Sequence, residues 1–263
     1  MVCTAGPQDR PFEEQHSRTS VAVVVNGTFQ YQTSTGRELM MPGTLLLGNA
    51  GDAFTCRHEH GKGDRCVAFS YSDAFRERVV SSAGISLSRF RTPRLAPIRK
   101  LSSLVARASE LLNGGETGAS EELGILALVQ AIQIENRDAL RKNKVEPSSL
   151  ARVTRVIRMI ENDPDLPHDL AGLSQIARLS PYHFVRVFEG ITGTTPYQYL
   201  LRMRLCRVAV RLRTEPARIL DIALDCGFGD VSNFNRVFRA EFGVSPRLYR
   251  VKAWRSPAPN NRR

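Results

Sequence analysis

Between Ser20 and Ser72 the apolar residues come in short runs separated by turn formers. SVAVVVNGTFQYQ is β-branched and aromatic with Asn26-Gly27 at a hairpin-turn position, GRELMMPGTLLLGNAGD sets Pro42-Gly43 between apolar runs, and RCVAFSYS follows. Strands bounded in this way predict a small antiparallel β barrel or sandwich. After Ser72 the spacing changes to that of helices. DAFRERVVSSAG, LSSLVARASELLN and SEELGILALVQAIQIENRDAL carry it, the last with Leu123, Leu126, Ala127, Gln130, Ala131 and Ile134 on one face. That face is expected to pack on its own domain, with a homodimer contact as the other use. RKNKVEPSS at 141–149 is polar and contains proline, so it reads as a linker. It divides the chain into a strand-rich part with a helical tail (1–144) and an all-helical part (145–255).

A repeat at an offset of fifty residues organises the second part. FVRVFEGITGTTP starts at Phe184 and FNRVFRAEFGVSP at Phe234, and apolar spacing, glycine and proline recur together. Each copy has the grammar of a helix-turn-helix. DLAGLSQIARL, with Asp169 as N-cap and Leu170, Leu173, Ile176 and Ala177 inward, precedes a helix restarted by Ser180-Pro181. Phe184, Val187 and Phe188 point inward there, leaving Tyr182, His183, Val185 and Arg186 outward. In the second copy ARILDIALDCGF ends at Gly227, in the left-handed conformation, and Asp230 caps VSNFNRVFRAEF. Phe234, Val237 and Phe238 face in; Val231, Ser232, Asn235 and Arg236 face out. Between the copies, PYQYLLRMRLCRVAVRLRTE, capped by Thr195 with Pro196 following, makes a rod of about 27 Å. A rod of that length suits two helices aimed at major grooves ~34 Å apart.

Charge sharpens this picture. Residues 1–147 hold 18 Lys+Arg against 16 Asp+Glu, and residues 148–263 hold 19 against 10, which divides the net +11 into +2 and +9. The second part is the candidate partner of a polyanion, and 18 of its 19 basic residues are arginine, whose planar fork suits phosphate and guanine. Arg202, Arg207, Arg211 and Arg213 place positive charge along the rod.

The segments IARLSPYHFVRVFEGITGTTPYQYLLRMRL and ILDIALDCGFGDVSNFNRVFRAEFGVSPRLYR resemble the DNA-binding domain of the AraC/XylS family of bacterial transcription regulators. The run from Ile222 to Pro246 carries the family signature, and the N-terminal half is similar to the family's cupin-like sensor domains. The resemblance implies an α+β protein: a cupin-like N-terminal barrel with helices, then two helix-turn-helix motifs joined by a linker helix. It also implies double-stranded DNA, a small-molecule effector and RNA polymerase as partners. By position, Tyr182, Val185 and Arg186 of the first recognition helix and Val231, Ser232, Asn235 and Arg236 of the second would lie over bases, with Arg202, Arg207 and Arg211 on the DNA backbone. The chemistry agrees for the polar members: arginine reads guanine O6 and N7, asparagine reads adenine N6 and N7. The other use of each arginine is a phosphate contact or an internal ion pair, which for Arg186 weighs as much as base readout. Val185 and Val231 offer only apolar contact, such as a thymine methyl.

One stretch stands outside this reading. CRHEHGKGDRC, Cys56 to Cys66, holds two cysteines, two histidines and two acidic residues. Read as a hairpin with GKGD as its loop, it pairs His60 with Arg65 and His58 with Val67. Cys56, His58 and His60 then share the interior face with Val67 and Phe69, while Cys66 points away. That register argues against a Cys₂His₂ zinc site and against a Cys56–Cys66 disulfide. Cys56, His58 and His60 are therefore candidates to line an effector pocket, with neither metal nor cofactor. The alternatives are a cupin-type metalloenzyme with a DNA-binding appendage and a nonspecific architectural DNA binder. Against an enzyme, the chain has five histidines and lacks G-x-S-x-G, P-loop and H-E-x-x-H motifs. The N-terminus has no apolar signal-like stretch and the cysteines are odd in number, so a reduced, cytoplasmic, non-membrane protein is expected.

Overall fold

The computed structural model describes residues 2–34, 36–58, 63–82, 89–114, 119–137 and 147–255; the side chains of Phe12, Ala119, Arg137, Pro147 and Arg255 are not described. Among these residues the N-terminal half forms two antiparallel sheets. One has strands β1 (Val2–Cys3), β3 (Thr19–Gly27), β6 (Leu45–Gly48), β8 (Asp64–Tyr71) and β9 (Arg94–Leu95) in the order β1-β8-β3-β6-β9. The other has β2 (Phe12–Gln15), β4 (Phe29–Thr33), β5 (Gly36–Met40) and β7 (Ala53–Arg57) in the order β2-β7-β4-β5.

The barrel expected from the sequence is not closed. The turns at Asn26-Gly27 and Pro42-Gly43 do not make hairpins; each carries the chain from one sheet to the other, because β3 and β4, and β5 and β6, belong to different sheets. Gly27 sits at φ +79, and a Cβ there would meet the Gly63 carbonyl at 2.3 Å, so the crossover tolerates no side chain. The cause lies in β3, which is buried on both faces. Val21, Val23 and Val25 face a helical layer, whereas Ala22 and Val24 face the second sheet. A strand covered on both sides cannot show the alternation that would identify its partner.

Helices α1 (Asp73–Ser82), α2 (Ser102–Leu112) and α3 (Ala119–Arg137) form that layer. Leu123, Ala127, Ala131 and Ile134 of α3 are buried against the sheet and α2, so most of the face read from the sequence packs within its own half. The C-terminal half contains α4 (Pro147–Asn162), α5 (Leu170–Ala177), α6 (Pro181–Thr192), α7 (Pro196–Thr214), α8 (Ile219–Asp225), α9 (Val231–Phe242) and α10 (Pro246–Arg255). The linker read at 141–149 lies largely outside the described residues.

The halves share their cores. Leu39 and Met41 pack with α4 and α6, and Ala106 of α2 packs with α7 and α9. Arg213 of α7 binds Glu110 of α2 at 2.6 Å, and Ser102 bonds Glu241 of α9. At the other end, the largely buried Arg94 guanidinium holds Glu38 at 3.0 Å and donates to the carbonyls of Ile191 and Thr192, which close α6.

Candidate nucleic-acid interface

The fifty-residue repeat is also a structural repeat. α6 and α9 each have 12 residues, and each ends at a left-handed glycine, Gly193 (φ 79) and Gly243 (φ 77). A second helix then starts at Pro196 or Pro246. The preceding turns differ. Arg178 (φ 54) closes α5 in a conformation disfavoured for a non-glycine residue, whereas Gly227 (φ 84) follows α8. Asp169 caps α5 through Gly172 N at 2.7 Å, and Thr195 with Gln198 forms a capping box on α7. Ser180 occupies the N-cap of α6 without a side-chain bond, and Asp230 caps α9 through Ser232 N at 2.8 Å. Leu170, expected inward, is exposed.

Phe184 and Phe188 are fully buried against Val153, Val156, Ile157 and Ile160 of α4 and Tyr199 of α7. Phe234 and Phe238 are buried with Leu205, Val208 and Leu212 of α7 and Ile222 of α8. These anchors fix which faces remain outside. Tyr182 is 74% exposed and Val231 45%. Arg186, Ser232, Asn235 and Arg236 are exposed, and Val185 is half-buried. Arg186 lies 5.8 Å from the centre of the Tyr182 ring, a cation–π contact that extends both side chains over the helix start. Asn235 donates to the Val231 carbonyl at 3.0 Å and Arg236 to Asn233 at 2.7 Å. Both bonds are solvent-exposed, so exchanging them for a base edge costs little.

The arginines along α7 have internal partners. Arg202 bonds Thr194 at 2.8 Å and pairs with Glu241 at 3.3 Å; Arg207 pairs with Asp165 at 2.6 Å; Arg211 pairs with Glu215 and Asp225, each at 3.0 Å. Arg207 is the exposed member. Arg207→Ala is expected to weaken cognate and random DNA alike and to lower the salt slope of binding by about one unit. A titration over salt concentration showing an unchanged slope would mean that α7 does not lie along phosphates.

The sequence reading did not find Arg204. Its guanidinium donates to the carbonyls of Pro164 (2.6 Å), Leu166 (2.8 Å) and Gly227 (3.0 Å). It thereby ties the loop before α5 to the turn before α9. An arginine in an amphipathic helix carries no sequence signal for three distant carbonyls.

The Cys56–Cys66 segment is not a hairpin. β7 pairs with β2 and β4, and β8 with β1 and β3, so the two strands belong to different sheets. Cys66 therefore shares the inter-sheet core with Cys56, and Val67 faces the helices, the reverse of the expected register. His58 is buried beside Phe29 and bonds Asp64 at 2.7 Å. His60 lies outside the described residues. Burial, with the Asp64 carboxylate nearby, pushes the Cys56 thiol up to about 12 and the Cys66 thiol higher still.

A cavity of about 710 Å³ lies between the halves. Asn26 and Ser109 line it from one side and Glu161, Tyr199, Arg202 and Arg211 from the other. Among the described residues the buried Tyr199 hydroxyl has no hydrogen-bond partner, and burial raises the Glu161 carboxyl, against the lowering effect of the Gly27 amide.

A family profile described as a helix-turn-helix domain matches residues 173–252. The regulatory protein SoxS of Salmonella typhimurium is 34% identical over 98 residues, 37% of this chain and 92% of its own length. The transcriptional activator AarP of Providencia stuartii is 32% identical over 111 residues, 42% of this chain and 81% of its own. The chain belongs to the AraC/XylS family. Residues 173–252 are thus a helix-turn-helix domain of that family, and the relatives, which are transcription regulators, give the metalloenzyme reading no support. The AraC-family activator RhaS of Escherichia fergusonii is 30% identical over 138 residues, 51% of this chain, which spans about half of RhaS. Among the described residues no helix is long and apolar enough to cross a membrane.

Proposed function

We propose a sequence-specific regulator in which α6 and α9 are the recognition helices of two helix-turn-helix units, set in successive major grooves of double-stranded DNA. Tyr182, Val185 and Arg186 read one half-site, and Val231, Ser232, Asn235 and Arg236 the other. Arg202, Arg207 and Arg211 serve the backbone, by sharing or exchanging their carboxylate partners. The observation that carries this reading is the repeated pair of twelve-residue helices, each anchored by two buried phenylalanines that leave the same positions facing solvent. The boundaries 1–144 and 145–255 separate a cupin-like sensor from the DNA-binding part. The sensor responds to a small molecule, for which His60 and, on the inter-sheet side, Cys56 and His58 are candidates. The cavity between the halves favours a second location, since a ligand there would touch both. RNA polymerase is the downstream partner, in keeping with relatives named as transcriptional activators, and a second copy of the chain is a further candidate partner.

Selection from random DNA tests the assignment, with an enriched bipartite site as the expected result. On that site Arg236→Ala should lose about 1–3 kcal/mol and relax preference at one base position. Equal loss on cognate and random DNA would make Arg236 a phosphate contact instead.

A further inference from the structure

We propose that Cys3, His58 and Asp64 form a binding site for zinc or a zinc-like divalent ion, which clips the N-terminal strand to the sheet. The Cys3 thiol, a His58 ring nitrogen and an Asp64 carboxylate oxygen all lie within 4.8 Å of one another. Tetrahedral zinc with ligands at about 2.0–2.3 Å places its donors roughly 3.3–3.8 Å apart, so side-chain rotations of an ångström or so complete the geometry. Sulfur, imidazole nitrogen and carboxylate oxygen together suit zinc better than magnesium or calcium, which take oxygen alone.

The site has fixed ligands and a way in. β1 pairs with β8 so that Cys3 lies directly opposite Asp64. His58 arrives from the crossover after β7, its side chain 2% exposed and its partner's 7%. Cys66 Sγ donates to the second oxygen of Asp64 at 3.0 Å, which orients the carboxylate as an outer partner of a metal ligand does. Cys3 is only half-buried, and with Asp64 it lines a cleft of about 320 Å³ through which an ion and a fourth, water ligand can enter. On binding, the Cys3 thiol releases its proton to solvent. The hydrogen that His58 Nε2 shares with Asp64 in the metal-free site is given up to solvent while Nδ1 takes one from solvent, which frees the Nε2 lone pair for the metal. This ligand set differs from the Cys₂His₂ set that the sequence reading argued against: β1 supplies the sulfur, and neither Cys56 nor His60 is used. The same cleft is walled by Arg158 and Glu161 of α4, so occupancy would be felt at the contact between the halves.

The test uses the full chain, untagged and stripped of metal. Titration with zinc against a chromophoric chelator is expected to give one equivalent bound per chain, with a rise in melting temperature. Cobalt(II) in its place should show a thiolate-to-metal charge-transfer band. Cys3→Ser should abolish that band and weaken zinc binding by at least about tenfold, and His58→Gln should weaken it comparably. Cys206→Ala should change neither. Should His58→Gln fail to fold, Cys3→Ser decides alone, because it lies on a two-residue edge strand. Substoichiometric zinc, a cobalt complex without the thiolate band, or a band that survives in Cys3→Ser and disappears in Cys56→Ser would each overturn the assignment.

Discussion

Phe238→Ala is expected to cost about 3–5 kcal/mol, the usual penalty for emptying a buried phenylalanine site, and to abolish DNA binding without removing a single DNA contact. Phe238 is fully buried at the centre of an aromatic cluster. Its ring centre lies 5.7 Å from that of Phe234, 4.6 Å from Phe242 and 5.5 Å from Tyr249. Through these rings it joins α9 to α10, and its core cluster includes Leu205, Val208 and Leu212 of α7. Without it, α9 has lost one of its two buried anchors, and the exposed row Val231, Ser232, Asn235 and Arg236 has no fixed platform. Phe238→Leu keeps most of the volume and should retain binding in proportion to its stability. Denaturant titration and binding to the selected site are measured together. Normal melting and normal affinity in Phe238→Ala would show that the inward face of α9 has been misassigned.

Arg204→Ala is expected to cost about 2–4 kcal/mol. Hydrogen bonds to a charged group contribute about 1.5–3 kcal/mol each, and the three here are not additive. The loss should have a signature in binding. Arg204 holds Pro164 and Leu166 before the first helix pair and Gly227 between α8 and α9, so removing it loosens the spacing of the two pairs more than it loosens either one. Affinity for a full bipartite site should therefore fall further than affinity for a single half-site. Arg204→Lys should not restore it, because a point ammonium cannot span three carbonyls. Equal losses on half and full sites would mean that Arg204 stabilises the helices locally and does not set their spacing.

The parts of this molecule that the sequence made legible are those whose physics is local. Asp169, Thr195 and Asp230 are caps within three residues of the amides they bind, and the Phe184/Phe188 and Phe234/Phe238 pairs lie one helical turn apart, so pattern alone located α5 to α9. The sheets were legible only as strands. Gly27 and Gly43 announce that the chain turns, but not whether it returns along the same sheet or crosses to the other. Because β3 is apolar on both faces, no alternation remained to decide. The same ambiguity reversed the reading of Cys66 and Val67. It also hid the His58–Asp64 pair, since a hairpin register puts Asp64 in a loop. Arg94 and Arg204 were illegible for a different reason. Apart from Glu38, their partners described above are backbone carbonyls, which every residue possesses and no sequence distinguishes.

The largely buried Arg94 bears on how freely such regulators can be recombined. Its guanidinium closes the end of α6 from the N-terminal half, with Glu38 balancing its charge, and Ala96 lies so near that a Cβ on Gly193 would meet it at 2.8 Å. A chimera that joins this DNA-reading half to a foreign sensor at the linker would leave the last carbonyls of α6 without that donor. It would also expose the apolar surface now covered by Leu39 and Met41. The cut that looks natural in the sequence is therefore not the seam of a modular device. A working graft needs a donor that supplies its own cation at the position of Arg94, or it must carry the segment around Arg94 along with Glu38.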